Sequence, residues 1–348
     1  MITLLNSGVD SLYWTARGDV SETMSAVADY QAAGRSDHTS IPWRDFDGYS
    51  LSVEPGGGHG YPVILKCHEF TIYLGSQRTR PTFLVQLRAP FIRTVDLRPA
   101  FEASMSVVSQ LSAIPLHEVG VSRIDPFMDI GGWSLGVAEA DGIVTRVPEV
   151  TSHFIPRSGR LHSVLIGKKP LAARIYDKRY QMKRKGGVGD LGWGDYDGPG
   201  TRIEFEFWTE KLKEFGVRAI DDVIGCLGDL WRHGTSRFME LRVPGGGPVE
   251  SWPISPPWDF VQRVGEWKFA HSGLVPFRMV KGDRTTLLRA LYGYLSSFAA
   301  VEGLSGERAA LRRLGECLPE VAHGRLFDNE IARKLARLPK AYRLREVQ

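Results

Sequence analysis

The sequence predicts an α+β fold, in which a large, mainly antiparallel sheet has helices packed on one face and is followed by a C-terminal helical segment. Over the first two thirds of the chain, short segments of alternating apolar and polar residues follow one another between glycine-rich turns. Several of these turns are too short for a crossover helix, which favours antiparallel pairing. After a stretch rich in proline and glycine at 245–258, the pattern becomes helical.

The individual elements follow from the same patterns, taken in chain order. Two early helices are predicted at 21–34, with Ser21 as the N-cap, and at 98–114. Pro126 falls inside a predicted strand, which indicates either an edge position or a bulge there. The predicted strands are 9–16, 62–67, 69–75, 82–88, 121–130, 162–166, 171–178, 201–208 and 236–243.

The composition shift at 245 predicts two regions, a core of residues 1–245 and a C-terminal helical extension of residues 246–348 packed on it. Helices are predicted in the extension at 283–304, 306–318 and 329–338. The last of these has a basic face formed by Arg333, Lys334 and Arg337. Within the core, the glycine-rich connector at 186–200 is either a loop over a site or a plain surface loop.

Composition excludes several classes of protein. With 348 residues, 43% of them hydrophobic, the chain has enough apolar material for a packed core, so a disordered chain or a coiled coil is not expected. The three cysteines have neither zinc-site spacing nor a disulfide pattern. The sequence shows no signal peptide and no apolar stretch of about 18 residues, so a soluble, cytoplasmic protein without a membrane partner is expected.

Three predicted strands share one design, with apolar side chains on one face and charged or phenolic side chains on the other. Arg123, Asp125 and Asp129 alternate with apolar residues in the first strand. Arg174, Tyr176 and Lys178 do so in the second, and Arg202, Glu204 and Glu206 do so in the third. If these strands are neighbours, their polar faces form one site. Taken singly, such carboxylates are more often solvated or paired with arginine.

The residue types of this site indicate phosphodiester chemistry. Clustered carboxylates suit Mg²⁺ or Mn²⁺, which polarises a phosphoryl oxygen. Neighbouring cations are expected to favour the phenolate of Tyr176, and an activated tyrosine forms covalent intermediates. The sequence therefore predicts a tyrosine that attacks DNA and keeps the 5′-phosphate.

A basic stretch at 168–185 holds eight cations and one acid, although the net charge of the chain is only +4. Such a stretch suits a polyanion, with nucleic acid first and acidic lipid second, and the other interpretation is a solvated loop flank. The cations are Lys168, Lys169, Arg174, Lys178, Arg179, Lys183, Arg184 and Lys185.

The segments GVSRIDPFMDI, LIGKKPLAARIYDKRYQMK and TRIEFEFW resemble the Rep_trans-type replication initiation factors of rolling-circle plasmids, phages and integrative elements. The resemblance covers roughly residues 60–300. It implies a metal-dependent DNA nicking and joining enzyme that cuts one strand of a double-stranded origin, stays attached to the 5′-phosphate and leaves a 3′-OH primer. A homodimer and a host helicase as partner are also implied.

Carried over by position, the resemblance assigns a role to each matched residue. Tyr176 matches the nucleophile, with Arg174 and Lys178 beside it in the catalytic motif. The residues implied as metal ligands are Asp125, Asp129 and Glu204. The residues implied as phosphate contacts are Arg123, Arg174, Lys178 and Arg202. Tyr180, four residues after Tyr176, leaves a two-tyrosine mechanism open, and His153 and His162 are given at most a minor role.

Three alternatives remain from the sequence. A relaxase of conjugative transfer would use the same chemistry at a different origin. A DNA-binding protein without catalysis would use the basic strand and the C-terminal helices to hold DNA. A carboxylate–metal hydrolase with a structural tyrosine would leave free ends and no protein–DNA adduct.

Overall fold

The computed structural model describes residues 1–156, 158–184, 186, 191–273 and 284–322. The chain divides into two compact units, Met1–Val275 and Pro276–Gln348. The sequence analysis placed the corresponding change at 245. Residues 246–273 belong to the first unit here.

The first unit is built mainly of β-strands. Three long strands, β1, β7 and β12, lie next to one another and form the middle of the sheet. The strands are β1 (Thr3–Arg17), β2 (Ile41–Phe46), β3 (Tyr49–Val53), β4 (Val63–Lys66), β5 (Phe70–Leu74), β6 (Phe83–Arg88), β7 (His117–Gly131), β8 (Ile143–Thr145), β9 (Val150–Phe154), β10 (Leu161–Lys168), β11 (Leu171–Asp177), β12 (Gly200–Trp208) and β13 (Met239–Leu241).

The helices of the first unit connect and cover these strands. They are α1 (Ser21–Asp37), α2 (Ala89–Val95), α3 (Leu97–Gln110), α4 (Val137–Asp141), α5 (Lys178–Arg184), α6 (Thr209–Glu214), α7 (Ile220–His233) and α8 (Pro256–Lys268). The second unit contains α9 (Arg284–Val301) and α10 (Glu307–Ala322). No helix among the described residues is long and apolar enough to cross a bilayer. The predicted helix at 329–338, with Arg333, Lys334 and Arg337, lies outside the described residues.

Eleven strands of the described chain form one antiparallel sheet in the order β2-β3-β4-β5-β6-β1-β7-β12-β11-β10-β9, and β8 pairs with β13 apart from it. The predicted fold class, a large antiparallel sheet with helices and a C-terminal helical segment, is therefore confirmed. The sequence analysis did not predict β2, β3, β8 or β9.

One face of the sheet carries the apolar side chains, and helices pack against it. The indole of Trp14 on β1 lies edge-on to Phe101 of α3, with ring centroids 5.3 Å apart, and donates a hydrogen bond to the Ser104 hydroxyl at 3.0 Å. Phe205 on β12 meets Trp231 of α7 in a similar edge-on contact at 5.2 Å. Burial of these large rings supplies much of the hydrophobic stabilisation, because each removes a large apolar area from water.

Two local predictions were wrong. Ser21 is the first residue of α1 rather than its N-cap, and Val20 occupies the cap position. The carboxylate of Asp19 accepts hydrogen bonds from the backbone N–H and the hydroxyl of Ser21, so the serine oxygen does not cap the helix. The predicted strand at 236–243 begins as a π-helical turn at Gly234–Phe238, and only Met239–Leu241 are strand.

Half-buried His233, at the C-terminal end of α7, makes stability sensitive to acid. Its ring lies edge-on to Phe215 at 5.2 Å, and burial, together with Lys211 and Arg237, lowers its pKa to about 4. The folded protein therefore resists protonation of this ring, whereas the unfolded chain accepts a proton near its ordinary pKa of about 6.5. Stability is full above that value and is lost as pH falls towards 4, by about 3 kcal/mol.

Chemical denaturation of the wild type and of His233→Asn between pH 7 and pH 4 checks this prediction, because asparagine has no proton to gain. The acid-induced loss should be smaller in the variant by about the same amount. Parallel pH profiles of the two proteins would contradict it.

Candidate active site

The three strands predicted to carry polar faces are neighbours in the sheet. β12 lies between β7 and β11, and Arg202 stands directly opposite Asp129 on one side and Tyr176 on the other. Two pairs further along, and therefore on the same face, Arg174 stands opposite Glu204. Because residues opposite one another in an antiparallel pair share a face, these side chains project from the same face, as the alternation predicted.

Tyr176 is the penultimate residue of β11. Its side chain lies on this polar face and is buried, with 5% of the residue's surface exposed. Its hydroxyl donates a hydrogen bond to Oε2 of Glu204 at 2.8 Å. The ring also lines a cavity of about 450 Å³. The predicted nucleophile therefore has a carboxylate in contact with its proton and an open space beside its ring.

The expected effect of the cations on Tyr176 is not found. Burial, followed by the negative charge of Glu204, raises the pKa of Tyr176 well above its ordinary value, and Arg202 lowers it by less. The sequence analysis considered the neighbouring cations and did not foresee the carboxylate bonded to the hydroxyl. In this arrangement the phenol keeps its proton until a base removes it.

Glu204 is placed to be that base. It is buried, and burial and the nearby charge of Asp10 raise its pKa above the usual value for a glutamate. A carboxylate with a raised pKa is a better proton acceptor than an exposed one. Glu204 and Tyr176 therefore form a donor–acceptor pair suited to general base catalysis.

Arg202 is the cation at the centre of the site, and it is only 3% exposed. Its Nε and Nη2 donate to the two carboxylate oxygens of Asp129 at 2.6 and 2.8 Å, and Nη1 donates to Asp10. Its guanidinium also lies 3.9 Å from the ring centroid of Phe127. These contacts fix the position of the guanidinium. The sequence analysis did not identify Asp10 as a residue of the site.

Asp10 reaches the site because β1 has a bulge there. The pairing with β7 shifts register between Val9, opposite Pro126, and Ser11, opposite Asp125, so Asp10 is the extra residue. A bulge re-aims a side chain, and proline is tolerated in a central strand at such a place. Pro126 therefore lies at a bulge and not at an edge of the sheet. Because the extra residue of this bulge is Asp10 on the neighbouring strand, Pro126 was the available sequence signal for it.

A second group of charges lies further along the same face. Arg123 donates to both oxygens of Asp125, each at 2.7 Å, and its Nη2 is 3.1 Å from Glu206. Glu206 also forms an ion pair with Arg174. Burial raises the pKa of Asp125 well above its usual range, although Arg123 opposes this. Arginines therefore neutralise the acids of this group.

The acids predicted as metal ligands lie together, but as arranged they do not fit a metal ion. Both oxygens of Asp125 are held by Arg123, and both oxygens of Asp129 are held by Arg202. Glu204 accepts a hydrogen bond from the Tyr176 hydroxyl. Within the described ranges, no group of three histidine, cysteine, aspartate or glutamate side chains is placed to hold a metal ion. Binding of Mg²⁺ or Mn²⁺ would require at least one carboxylate to leave its arginine.

Described residues of the glycine-rich connector lie over one end of the site. The indole N–H of Trp193 donates to Oδ2 of Asp129 at 2.8 Å. The guanidinium of Arg179 lies 5.1 Å from the ring of Trp193 and donates to the carbonyl oxygen of Gly198 at 3.0 Å. The described part of the connector is therefore a loop over the site and not a plain surface loop. The sequence analysis did not identify Trp193 as a residue of the site. An aromatic residue within a glycine-rich stretch was the available signal.

Lys178 begins α5 next to the tyrosine. Its Nζ is 5.6 Å from the centroid of the Tyr176 ring and donates to Gln181 at 3.1 Å. Burial, and then the positive charge of Arg202, lower the pKa of Lys178 to about 8. The residue also lines a second cavity, of about 290 Å³, together with Arg88 and Arg202. A lysine of this kind can give up a proton near neutral pH.

The basic stretch at 168–185 is divided between the two ends of β11. Lys168 and Lys169 lie at the hairpin end, where Lys168 pairs with Glu149 at 2.6 Å and Lys169 lies over the ring of Trp208 at 3.8 Å. Lys183 and Arg184 are exposed on α5 at the other end, about 20 Å away for a strand of this length. The lysine pair of the hairpin and the cations of α5 are therefore two separate groups, with Arg174 between them on β11. Lys185 lies outside the described residues.

Tyr180 and two histidines lie beside Tyr176. Tyr180 belongs to α5, whereas Tyr176 belongs to β11, so the two tyrosines do not share a helix face. The ring of Tyr180 lies 4.7 Å from that of His162, which is stacked with His153 at 6.2 Å. All three line the same cavity as Tyr176. The sequence analysis did not foresee that these histidines would meet.

No family profile matches the chain, and no curated protein matches it. Among solved structures, the chain is similar to a rolling circle replication initiator protein from Geobacillus stearothermophilus, with 16% sequence identity and a TM-score of 0.45. The match covers 76% of this chain and 97% of the other. A likeness at this level does not establish a function.

Proposed function

We propose that the protein is a DNA nicking and joining enzyme that uses Tyr176 as a nucleophile and initiates rolling-circle replication, the role that the sequence resemblance implies. The observation that carries this proposal is the hydrogen bond from the Tyr176 hydroxyl to the buried carboxylate of Glu204, beside a row of fixed arginines. A tyrosine with a base at its proton and cations around it is suited to attack on a phosphodiester.

The chemistry balances with groups that the site contains. Glu204 accepts the phenolic proton as the tyrosine oxygen forms a bond to phosphorus, and the bond from phosphorus to the 3′-oxygen breaks. The 3′-oxygen takes up a proton, for which Lys178, with its pKa of about 8, is suited. The products are a 5′-phosphotyrosine link and a free 3′-OH. The reverse reaction joins the strand again.

The arginines supply the electrostatic part of the proposal. Arg202 is fixed by Asp129, Asp10 and the ring of Phe127, so it needs no reorganisation when negative charge develops on the phosphate. Arg174 has an exposed side chain in the cavity beside Tyr176 and is suited to bind a phosphate oxygen directly. Fixed cations of this kind favour the charged transition state over the ground state.

Incubation with supercoiled DNA carrying candidate origins, in the presence of Mg²⁺ or Mn²⁺, tests the proposal. The expected product is a relaxed circle with the protein attached to one 5′ end and a free 3′-OH. Nicked DNA with two free ends would instead indicate a hydrolase. Binding without nicking at an origin that the protein recognises would indicate a non-catalytic binder. A relaxase would give the same product at a transfer origin.

Salt dependence tests the contacts to DNA. If Lys183 and Arg184 on α5 contact phosphates, replacing both with alanine should flatten the slope of log affinity against log salt by about 1.4 to 1.8. Equilibrium binding at several salt concentrations measures this, and the Lys168→Ala/Lys169→Ala variant reports on the hairpin end in the same way. An unchanged slope in both variants would show that neither group contacts DNA.

The requirement for Mg²⁺ or Mn²⁺, which the sequence resemblance implies, stays a prediction with its own test, and it entails that a carboxylate leaves its arginine to bind the ion. Removal of divalent ions with a chelator should abolish the covalent protein–DNA adduct, and addition of Mn²⁺ should restore it. The readout is the adduct on a denaturing gel, with binding of the same DNA measured in parallel. Adduct formation at full yield under chelation would contradict the prediction.

A further inference from the structure

The cavity beside Tyr176 has an aromatic wall. His153, His162 and Tyr180 follow one another along it. The two histidine rings are stacked, with centroids 6.2 Å apart and planes 27° apart, and Tyr180 lies 4.7 Å from His162. Arg174 and Arg184 line the same cavity, whose volume is about 450 Å³. A cavity of this size accommodates a nucleotide-sized group.

A bulge in β10 and a backbone hydrogen bond in α5 position the rings of this wall. Pairing of β10 with β9 shifts register between Leu161, opposite Phe154, and Ser163, opposite His153, so His162 sits at a bulge. A bulge re-aims a side chain, and here it brings His162 next to His153. Tyr180 is held from the other side, because its backbone N–H donates to Oδ1 of Asp177 at 2.8 Å.

The chemistry of the wall favours one kind of ligand. Burial, and then the charges of Arg184 and His153, lower the pKa of His162, so its ring stays neutral near pH 7. A neutral ring presents a stacking face, and the arginines beside it can pair with phosphate. Aromatic faces next to cations bind unpaired bases, which can stack only when they are out of the duplex.

We propose that His153, His162 and Tyr180 form a stacking site for an unpaired base of the DNA strand that Tyr176 attacks. This proposal rests on the proposed function and names its substrate more closely: the strand is single-stranded when it enters the cavity. Arg174 and Arg184 bind phosphates on either side of the stacked base. Tyr180 then acts through its ring as a positioning residue and not as a second nucleophile.

Binding measured in a Tyr176→Phe background, where no reaction follows, tests the stacking site. The probes are a fluorescein-labelled single strand of mixed sequence, about 16 nucleotides long, and the duplex of the same sequence. Tyr180→Ala should weaken binding of the single strand by roughly 5- to 150-fold. Binding of the duplex should be unchanged, and so should the salt slope for the single strand.

Matched variants show whether the aromatic rings of the wall are responsible for the binding of the single strand. Tyr180→Phe keeps the ring and should bind like its parent, and His153→Ala, which removes an exposed ring on the edge strand β9, should weaken single-strand binding. Tyr30→Ala is the control. Tyr30 is an exposed tyrosine on α1, which carries the buried Val27 and contacts β2 at the opposite edge of the sheet.

A scan with single abasic positions sharpens the test. Removal of one particular base should weaken binding by the parent, and the same removal should have little further effect in Tyr180→Ala. Unchanged single-strand binding in both Tyr180→Ala and His153→Ala would overturn the proposal. An equal loss for single strand and duplex would also overturn it, because stacking requires an unpaired base.

These measurements distinguish failure of the stacking site from failure of the proposed nicking function. If the wild type forms no covalent adduct at an origin but the ring variants lose single-strand binding, the nicking proposal falls and the stacking site stands. If the adduct forms normally and the ring variants bind like the parent, only the stacking site falls.

Discussion

Replacing Tyr176 with phenylalanine should abolish covalent attachment to DNA while leaving most of the DNA binding intact. Phenylalanine keeps the buried ring and removes only the hydroxyl that donates to Glu204. Loss of the nucleophile should lower adduct formation by roughly 10⁴-fold or more, the scale that nucleophile removal has in other covalent enzymes. Denaturing gels measure the adduct, and fluorescence anisotropy measures binding.

Tyr180→Phe is the matched control for this prediction. Tyr180 lines the same cavity and loses the same atom in its variant, so it should form the adduct at the level of the wild type. A two-tyrosine mechanism would instead require a defect in both variants. Adduct formation by Tyr176→Phe at the wild-type level would show that another group attacks the phosphate.

Replacing Asp129 with alanine should destabilise the fold strongly. The carboxylate of Asp129 is fully buried and holds Arg202, which is itself only 3% exposed. Removing this carboxylate leaves the buried charge of Arg202 unsolvated, with Asp10 as its remaining carboxylate partner. The expected cost is about 3–5 kcal/mol of the free energy of unfolding, measured by chemical denaturation.

An exposed ion pair gives the control for this measurement. Asp259 and Arg263 pair at 2.7 Å on the surface of α8, so Asp259→Ala should cost no more than about 1 kcal/mol. The double variant Asp129→Leu/Arg202→Met should recover much of the loss, because no charge of the pair is then left unpartnered. If Asp129→Ala lowered the free energy of unfolding by less than about 1 kcal/mol, the prediction would be wrong, because Asp10 alone would then be enough to stabilise the buried charge of Arg202.

The strands of the site could be predicted because one of their faces is apolar and the other is largely polar. In β7, β11 and β12, apolar residues that meet the helices alternate with a second set that carries the charged side chains and Tyr176, and only Phe127 and Ala172 are apolar members of that second set among the residues from Arg123 to Asp129, Leu171 to Asp177 and Arg202 to Glu206. Since a slip of one residue would expose the whole apolar set, this pattern fixes which side chains share a face. The grouping of Asp125, Asp129, Glu204 and Tyr176 followed from that.

The rest could not be predicted, because it depends on departures from regular pairing. Asp10 and His162 owe their positions to bulges, and alternation carries no information about a residue added to one strand of a pair. The short helix α5 has a charged sequence with no apolar stripe, so the sequence analysis predicted no helix there and extended the preceding strand to Lys178. The hairpin of β2 and β3 was missed although its turn contains Asp47-Gly48, a common turn pair.

The contact between Asp10 and Arg202 joins residues 192 positions apart. Much of the chain must therefore be ordered before the central guanidinium finds its second carboxylate, and closing a loop of that length has an entropic cost. Proteins dominated by such distant pairings fold slowly. Acquisition of activity during refolding should accordingly lag behind the formation of the β2–β5 hairpins, whose partners are close along the chain.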